Sequence, residues 1–264
     1  MSLPIALQLY SIRDVLYDDF YDVLKQVKEM GYDGVELPGL SGIEPDELRH
    51  ILLDLDLPAI SSHVPIPEIM DSERLQDYKK VGCEYVAIPW MDHSDHSKVL
   101  ENIELIGKIA DTVKKAGLML LYHNHDFEFR KINGKYILDM IYEGVPEDRL
   151  KTQVDTCWAK FAGVDPATYL RKYKGRAPLV HLKDFIKGES DATPFELIGK
   201  AEEKKKTDFR FMPIGYGCQD MPSVLKASVE AGAKWVIVEQ DKSDDRPTME
   251  AARMSVKYLR SFEW

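Results

Sequence analysis

The chain has 264 residues, 44% of them hydrophobic and 30% charged, a length that suits one closed parallel barrel and a composition ordinary for a globular protein. Its formal net charge of −10 argues against the concentrated basic face that nucleic-acid or anionic-membrane binding requires. Three scattered cysteines, Cys83, Cys157 and Cys218, make neither a disulfide framework nor a CxxC zinc pair, so a reducing compartment is expected.

Taken in chain order, short apolar runs recur at roughly thirty-residue intervals, each followed by residues at helical spacing, which is the βα alternation of a parallel sheet. Ile5 to Leu9 comes first, and the stripe Phe20, Val23, Leu24, Val27 and Met30 then predicts a helix that starts after Asp18-Asp19 and stops at Gly31. Gly34 to Leu37, Ala59 to His63 and Tyr85 to Pro89 follow. A second stripe, Leu100, Ile103, Ile106, Ile109 and Val113, ends near Gly117 and leads into Leu118 to Tyr122. Thr152 to Asp155 and Leu179 to Leu182 are the sixth and seventh runs. The stretch 187–208 is longer than one connection and predicts an extra helix around Pro194 to Lys205, with Lys204-Lys205-Lys206 read as solvated. A tight turn at Ile214 to Gly217, a stripe through Val224, Leu225 and Val229 that stops near Gly232, and the strand Trp235 to Glu239 complete the pattern.

Eight such units predict an α/β chain folded as a single (β/α)8 TIM barrel over residues 1–264. A doubly wound sheet would place a Gly-rich phosphate turn after the first strand, where this chain has Leu9-Tyr10-Ser11-Ile12. No apolar run is long enough to span a bilayer, and the N-terminus lacks a basic segment followed by a long apolar one; a cytoplasmic protein is expected.

In such barrels the chemistry sits at the C-terminal ends of the strands. Those positions hold Gln8 and Tyr10; Glu36; His63; Trp90; His123, Asn124 and His125; Asp155 and Trp158; His181, Lys183 and Asp184; and Glu239, Gln240 and Asp241. Buried carboxylates and imidazoles are costly unless paired or metal-bound, so the joint pattern points to a site, although each residue alone could cap the helix after it. Asp155, His181 and Glu239 end three consecutive strands and can converge on one divalent cation. The set is rich in hard oxygen donors, which favours Mn²⁺, Mg²⁺ or Co²⁺ and leaves Zn²⁺ open. The fourth ligand is expected from the fifth strand: His123 stands nearest its end, and Glu128 is preferred because it would restore charge balance if the loop folds back. His63 and Lys183 are then expected to bind, polarise or exchange protons with a substrate, and Trp158 to pack on a sugar ring.

Leu7-Gln8-Leu9-Tyr10-Ser11-Ile12-Arg13, Gly34-Val35-Glu36, Tyr122-His123-Asn124-His125 through Glu128-Phe129, Asp155-Thr156 with Trp158, His181-Leu182-Lys183-Asp184 and Val238-Glu239-Gln240-Asp241 occur in that order, each at a strand end. Together they resemble the sugar phosphate isomerase/epimerase family of xylose-isomerase-like barrels over nearly the whole length. The resemblance implies a metal-assisted reaction on a small carbohydrate, with proton abstraction next to a carbonyl. It implies Asp155, His181 and Glu239 as metal ligands, with Glu239 doubling as an acid/base and Glu128 or His125 as the second; with Lys183 these make up the expected catalytic set. Gln8, Tyr10, Glu36, His63, His123 and Trp158 are assigned to the substrate. One departure is visible: many members carry a Glu at the end of strand five, where this chain reads Tyr122-His123. The chain is similar in this to the branch acting on keto-inositols and 3-keto-glycosides, so a lyase or dehydratase is the alternative reaction. A sugar-binding barrel without turnover and an apurinic-site endonuclease rank lower, the latter because of the acidic charge. A homodimer is the general expectation for a soluble enzyme.

Overall fold

The computed structural model describes residues 2–40, 42–187 and 209–264. The helix expected around 194–205 and the lysine run at 204–206 lie outside the described residues.

Among the described residues, twelve strands run in chain order: β1 (Ile5–Gln8), β2 (Gly34–Leu37), β3 (Ala59–His63), β4 (Tyr85–Ile88), β5 (Met119–His123), β6 (Lys131–Ile132), β7 (Lys135–Tyr136), β8 (Leu150–Asp155), β9 (Leu179–Leu182), β10 (Asp184–Ile186), β11 (Arg210–Met212) and β12 (Trp235–Val238). Eight of them close a barrel in the order β1-β12-β9-β8-β5-β4-β3-β2, and every pair of neighbours is parallel. Closure leaves no free edge, so no strand of the ring presents an unpaired row of backbone groups. β6 with β7, and β10 with β11, form short two-stranded antiparallel sheets outside it.

The helices wrap the barrel because each carries one apolar stripe. In Phe20–Met30 it is Val23, Leu24 and Val27 that are buried, and the Asp19 carboxylate caps the first turn by accepting from Asp22 N. In His96–Lys115 it is Val99, Ile106, Ile109, Ala110 and Val113. These side chains meet the outward faces of the strands in one continuous core. Full burial of each such side chain stabilises the fold by about 1.5–3 kcal/mol.

Inside the barrel the strand alternation sorts residues by height. A floor of Ala6, Tyr85, Ala87, Leu121, Leu179 and Ile237, with Met119 and Trp235 against it, fills the lower lumen. Gly34 is part of this floor: a Cβ there would lie 2.9 Å from the Pro58 carbonyl oxygen and 3.2 Å from the Trp235 ring. Two residues further along β1, β2, β5, β9 and β12 the interior turns polar, with Gln8, Glu36, His123, His181 and Glu239. That polar layer is the base of the site.

Among the described residues, no helix is long and apolar enough to cross a membrane.

Candidate metal centre

His123 and Asp155 end β5 and β8, His181 is the last residue but one of β9, Glu239 follows β12, and all four are buried. One nitrogen or carboxylate oxygen from each lies within 4.8 Å of the others. His63, His123 and His181 form a second, overlapping trio at the same spacing.

Asp155 does two things at once. Its Oδ1 accepts from the backbone N–H groups of Cys157 (2.9 Å) and Trp158 (3.1 Å), capping the helix Thr156–Phe161. Its Oδ2 is buried and accepts no hydrogen bond, with Lys183 Nζ 3.2 Å away and His123 Nε2 at 3.9 Å. Asn124 fixes the strand ends on either side, its Oδ1 accepting from Asp155 N at 3.0 Å.

His181 is clamped between two carboxylates, with Nδ1 2.8 Å from Glu239 Oε2 and Nε2 2.6 Å from Glu36 Oε2. Burial alone would discharge this imidazole, but Glu36 and Glu239 outweigh it and raise its pKa to about 10. Glu36 is held on every side. Its Oε1 accepts from Ser61 Oγ (2.5 Å) and Gln153 Nε2 (2.6 Å), and its Oε2 from Gln8 Nε2 (2.8 Å), with His63 Nε2 at 3.3 Å. Burial pushes Glu36 up, yet the His181 and His63 imidazoles bring it down to about 2.

Lys183 is 2% exposed, a burial the ammonium tolerates only because Asp155 Oδ2 (3.2 Å), Glu239 Oε2 (2.8 Å) and Asp241 Oδ2 (2.9 Å) surround it. Burial works to strip its proton, and Asp155, Asp241 and Glu239 keep it charged, well above the usual lysine range. Glu239 in turn is held well below the usual carboxylate range against its own burial, by Lys183 and then His181. Around His181 and Lys183, carboxylates outnumber cations: Glu36, Asp155, Glu239 and Asp241 face two positive groups.

These residues fit a divalent cation. Asp155 presents a buried oxygen with no hydrogen bond, and burial together with the His181 and His63 imidazoles keeps His123 neutral, the form that binds a metal. The Glu36 carboxylate on the far nitrogen of His181 is the arrangement that orients a ligating histidine. His123, Asp155, His181 and Glu239 would hold the ion, which would take the place of the proton between His181 Nδ1 and Glu239.

The structure moves several residues from where the sequence puts them. Glu128, preferred as the fourth ligand, is not in the group, and His123 takes that corner. Residues Phe127–Phe129 form a 3₁₀ turn that folds the Glu128 side chain back, so that its Oε1 accepts from Tyr122 Oη (2.9 Å) and its Oε2 from His125 N (2.8 Å). Burial pushes its pKa upward. Glu36 and Gln8, assigned to the substrate, are fully buried and spend their hydrogen bonds beneath His181 and on Tyr10 N. Trp158 is also fully buried, packed on Phe211 with the Lys183 ammonium 5.3 Å over its ring, so it walls the site and presents no open face to a sugar.

His63, Tyr10 and His125 are partly exposed at the mouth. Tyr10 lies under the Arg13 guanidinium, 4.0 Å from its ring centre. His125 stacks on Phe127 and stands 5.3 Å from His123 and 5.6 Å from Trp158, ring to ring. Burial and the Lys183 ammonium keep it neutral.

Sequence reasoning passed over Ser61 and Gln153 as contributors. Ser61 and Gln153 lie two residues before His63 and Asp155 and so share their inward face, a signal that strand alternation carries.

The model of a family described as a xylose isomerase-like TIM barrel matches residues 24–262. A search of curated protein sequences returned no match. Among solved structures, a sugar phosphate isomerase/epimerase from Parabacteroides distasonis ATCC 8503 superposes with a TM-score of 0.79 at 21% identity, covering 99% of this chain and 94% of that one. A probable 3-DHS dehydratase involved in petrobactin synthesis, from Bacillus anthracis, gives 0.79 at 14% identity over 99% and 100%. The IOLI protein with a bound zinc atom gives 0.75 at 14% identity over 98% and 96%. Identities this low speak for the fold.

Proposed function

The chain belongs to the xylose isomerase-like TIM barrel family, and from that premise and the geometry of its site we propose that it is a metal-dependent isomerase or epimerase of a small carbohydrate bearing a carbonyl group. The observation that carries the reading is the convergence of His123, Asp155, His181 and Glu239 within 4.8 Å, at the barrel face where such folds place their chemistry. When bound, the cation would supply positive charge to the carbonyl oxygen and so acidify the neighbouring C–H.

The protein's own groups do the rest. Lys183, fixed by Asp155, Glu239 and Asp241, is a permanent ammonium beside the ligands that offsets their negative charge. His125, partly open to the mouth and bordered by His123 and Trp158, is the imidazole placed to exchange a proton with substrate carbon. Trp158 and Phe211 wall the site in hydrocarbon, excluding water from one side. Glu36 acts through His181, holding the ring in place.

A second reading, elimination of water or an aglycone from a keto-sugar or keto-inositol, is favoured by one specific feature. With Glu128 turned away and Glu239 tied to His181 and Lys183, His125 is left as the chief proton carrier. A single base suffices for elimination, whereas epimerisation needs proton delivery to the opposite face.

The test is incubation with a 3-keto-glucoside and with a keto-inositol in deuterated buffer containing Mn²⁺ or Co²⁺. Deuterium incorporation without loss supports the isomerase or epimerase, and release of water or aglycone supports the lyase. Metal analysis of Asp155→Ala and His181→Ala is the companion experiment. Unchanged Mn²⁺ or Co²⁺ content in both would remove the metal from the reading.

A further inference from the structure

Behind β5, a second set of buried polar groups runs from the outer helix layer toward the site and takes part in no step above. Asn102, on the helix His96–Lys115, donates from Nδ2 to the Asp92 carbonyl (2.5 Å) and to His93 Nδ1 (3.2 Å). His93 Nε2 lies 2.8 Å from Tyr122 Oη, Tyr122 donates to Glu128 Oε1 at 2.9 Å, and Glu128 Oε2 accepts the backbone N–H of His125 at 2.8 Å. Asn102, His93, Tyr122 and Glu128 are each at most 3% exposed.

The chain has a direction. The Asp92 carbonyl can only accept, so the amide group of Asn102, and not its oxygen, must face that carbonyl and His93 Nδ1. Nδ1 is then the bare nitrogen and Nε2 carries the proton. Nε2–H donates to Tyr122 Oη, which frees the phenol proton for Glu128. A proton on Glu128 Oε1 would reverse each bond in turn and end as Nδ1–H aimed at the Asn102 amide, two donors face to face. The fixed amide therefore holds Glu128 in its accepting, ionised form, against the pull of burial.

We propose that Asn102, His93, Tyr122 and Glu128 form a one-way hydrogen-bond relay that sets the turn carrying His125, making Asn102, out in the helix layer, a positioning residue for the site. The use made of His125 rests on the proposed function; the relay itself is a property of the chain without substrate.

The test is nitrogen-15 NMR of histidine-labelled full-length protein together with amide hydrogen exchange at His125. In the wild type, His93 is expected as the neutral Nε2–H tautomer. Tyr122→Phe keeps the ring but cuts the relay: His93 keeps its tautomer, because Asn102 still sets it, and the His125 amide exchanges roughly tenfold faster, as expected on weakening a hydrogen bond to a charged acceptor. Asn102→Asp sets an acceptor against Nδ1 and moves the His93 proton there. A merely structural role would lower stability without moving the tautomer. An Nδ1–H tautomer in the wild type, or wild-type exchange at His125 in Tyr122→Phe, would overturn the relay. Both readouts need no substrate, so a failed reaction assay leaves them standing. Should Asn102→Asp not fold, Tyr122→Phe alone decides.

Discussion

Asp155 divides its oxygens between two tasks, which makes them separable by mutation. Oδ1 holds the N-terminus of the helix Thr156–Phe161, and Oδ2 faces His123 and Lys183. Asp155→Asn retains an acceptor for the cap and loses the anionic ligand; Asp155→Ala loses both. Metal titration should therefore show both variants failing to bind, while chemical denaturation should place Asp155→Ala about 1 kcal/mol below Asp155→Asn, the usual worth of a helix cap. Equal stability would mean that the cap is not made. Glu36 invites the same dissection, because its two oxygens together take donors from Ser61, Gln153, Gln8 and His181. In Glu36→Gln one oxygen becomes a donor that faces donors, a cost of about 1–3 kcal/mol. Freeing His181 should also weaken metal binding by roughly 10–100-fold, and calorimetric titration of Mn²⁺ would measure it. This is also where the sequence was least transparent. Asp155, His181 and Glu239 stood out because an ionisable residue ending an apolar strand is anomalous. Ser61 and Gln153 are neutral and attract no attention, and Glu128 misled because a 3₁₀ turn, not a distance along the chain, decides where its carboxylate goes.

At the level of elements, the strand pair β10–β11 and the turn after it hang on one side chain. Asp184 accepts backbone N–H groups from Phe185 (2.9 Å) and Gln219 (3.1 Å) on Oδ1, and from Gly215 (3.0 Å) and Gly217 (2.9 Å) on Oδ2. Asp184 directly follows Lys183, and Gln219 Nε2 donates to the Lys183 carbonyl, so the turn and the buried ammonium are fixed together. Asp184→Ala should leave the barrel strands protected while exchange at residues 215–219 accelerates, with a stability loss of roughly 3 kcal/mol from a charged acceptor of several amides. Hydrogen-exchange mass spectrometry would locate the loss. Protection lost evenly over the barrel would show Asp184 to be a general core residue instead. The barrel strands themselves were readable to within two residues, as in Thr152 to Asp155 against the observed Leu150–Asp155, because a buried parallel strand is a continuous apolar run between turn residues. β6, β7, β10 and β11 were not, since two or three residues carry no period to detect.

For the whole molecule, what matters is an apolar lumen floor carrying a polar layer in which neutral and charged groups are assigned by their neighbours. That assignment is also a statement about stability against pH. His93 shows it most cleanly: burial holds its imidazole down at about 4, against about 6.5 in an unfolded chain. Between those values the unfolded chain binds a proton that the folded protein refuses. The contribution of His93 is therefore fully present above pH 6.5 and is lost as pH falls toward 4. The shift corresponds to roughly 3 kcal/mol. Glu128 works in the opposite sense, because burial raises its pKa and on acidification the folded state takes up a proton ahead of the unfolded chain. The acid slope of the wild type alone would mix the two. The informative quantity is the difference between wild type and His93→Gln, a variant whose side chain does not titrate. Urea denaturation at a series of pH values from 7 to 4 should show that difference moving by roughly 3 kcal/mol in favour of the variant as the solution is acidified. A difference that stays flat across this window would mean that His93 is protonated in the folded protein. It would then carry protons on both nitrogens, which the Asn102 amide facing Nδ1 does not permit.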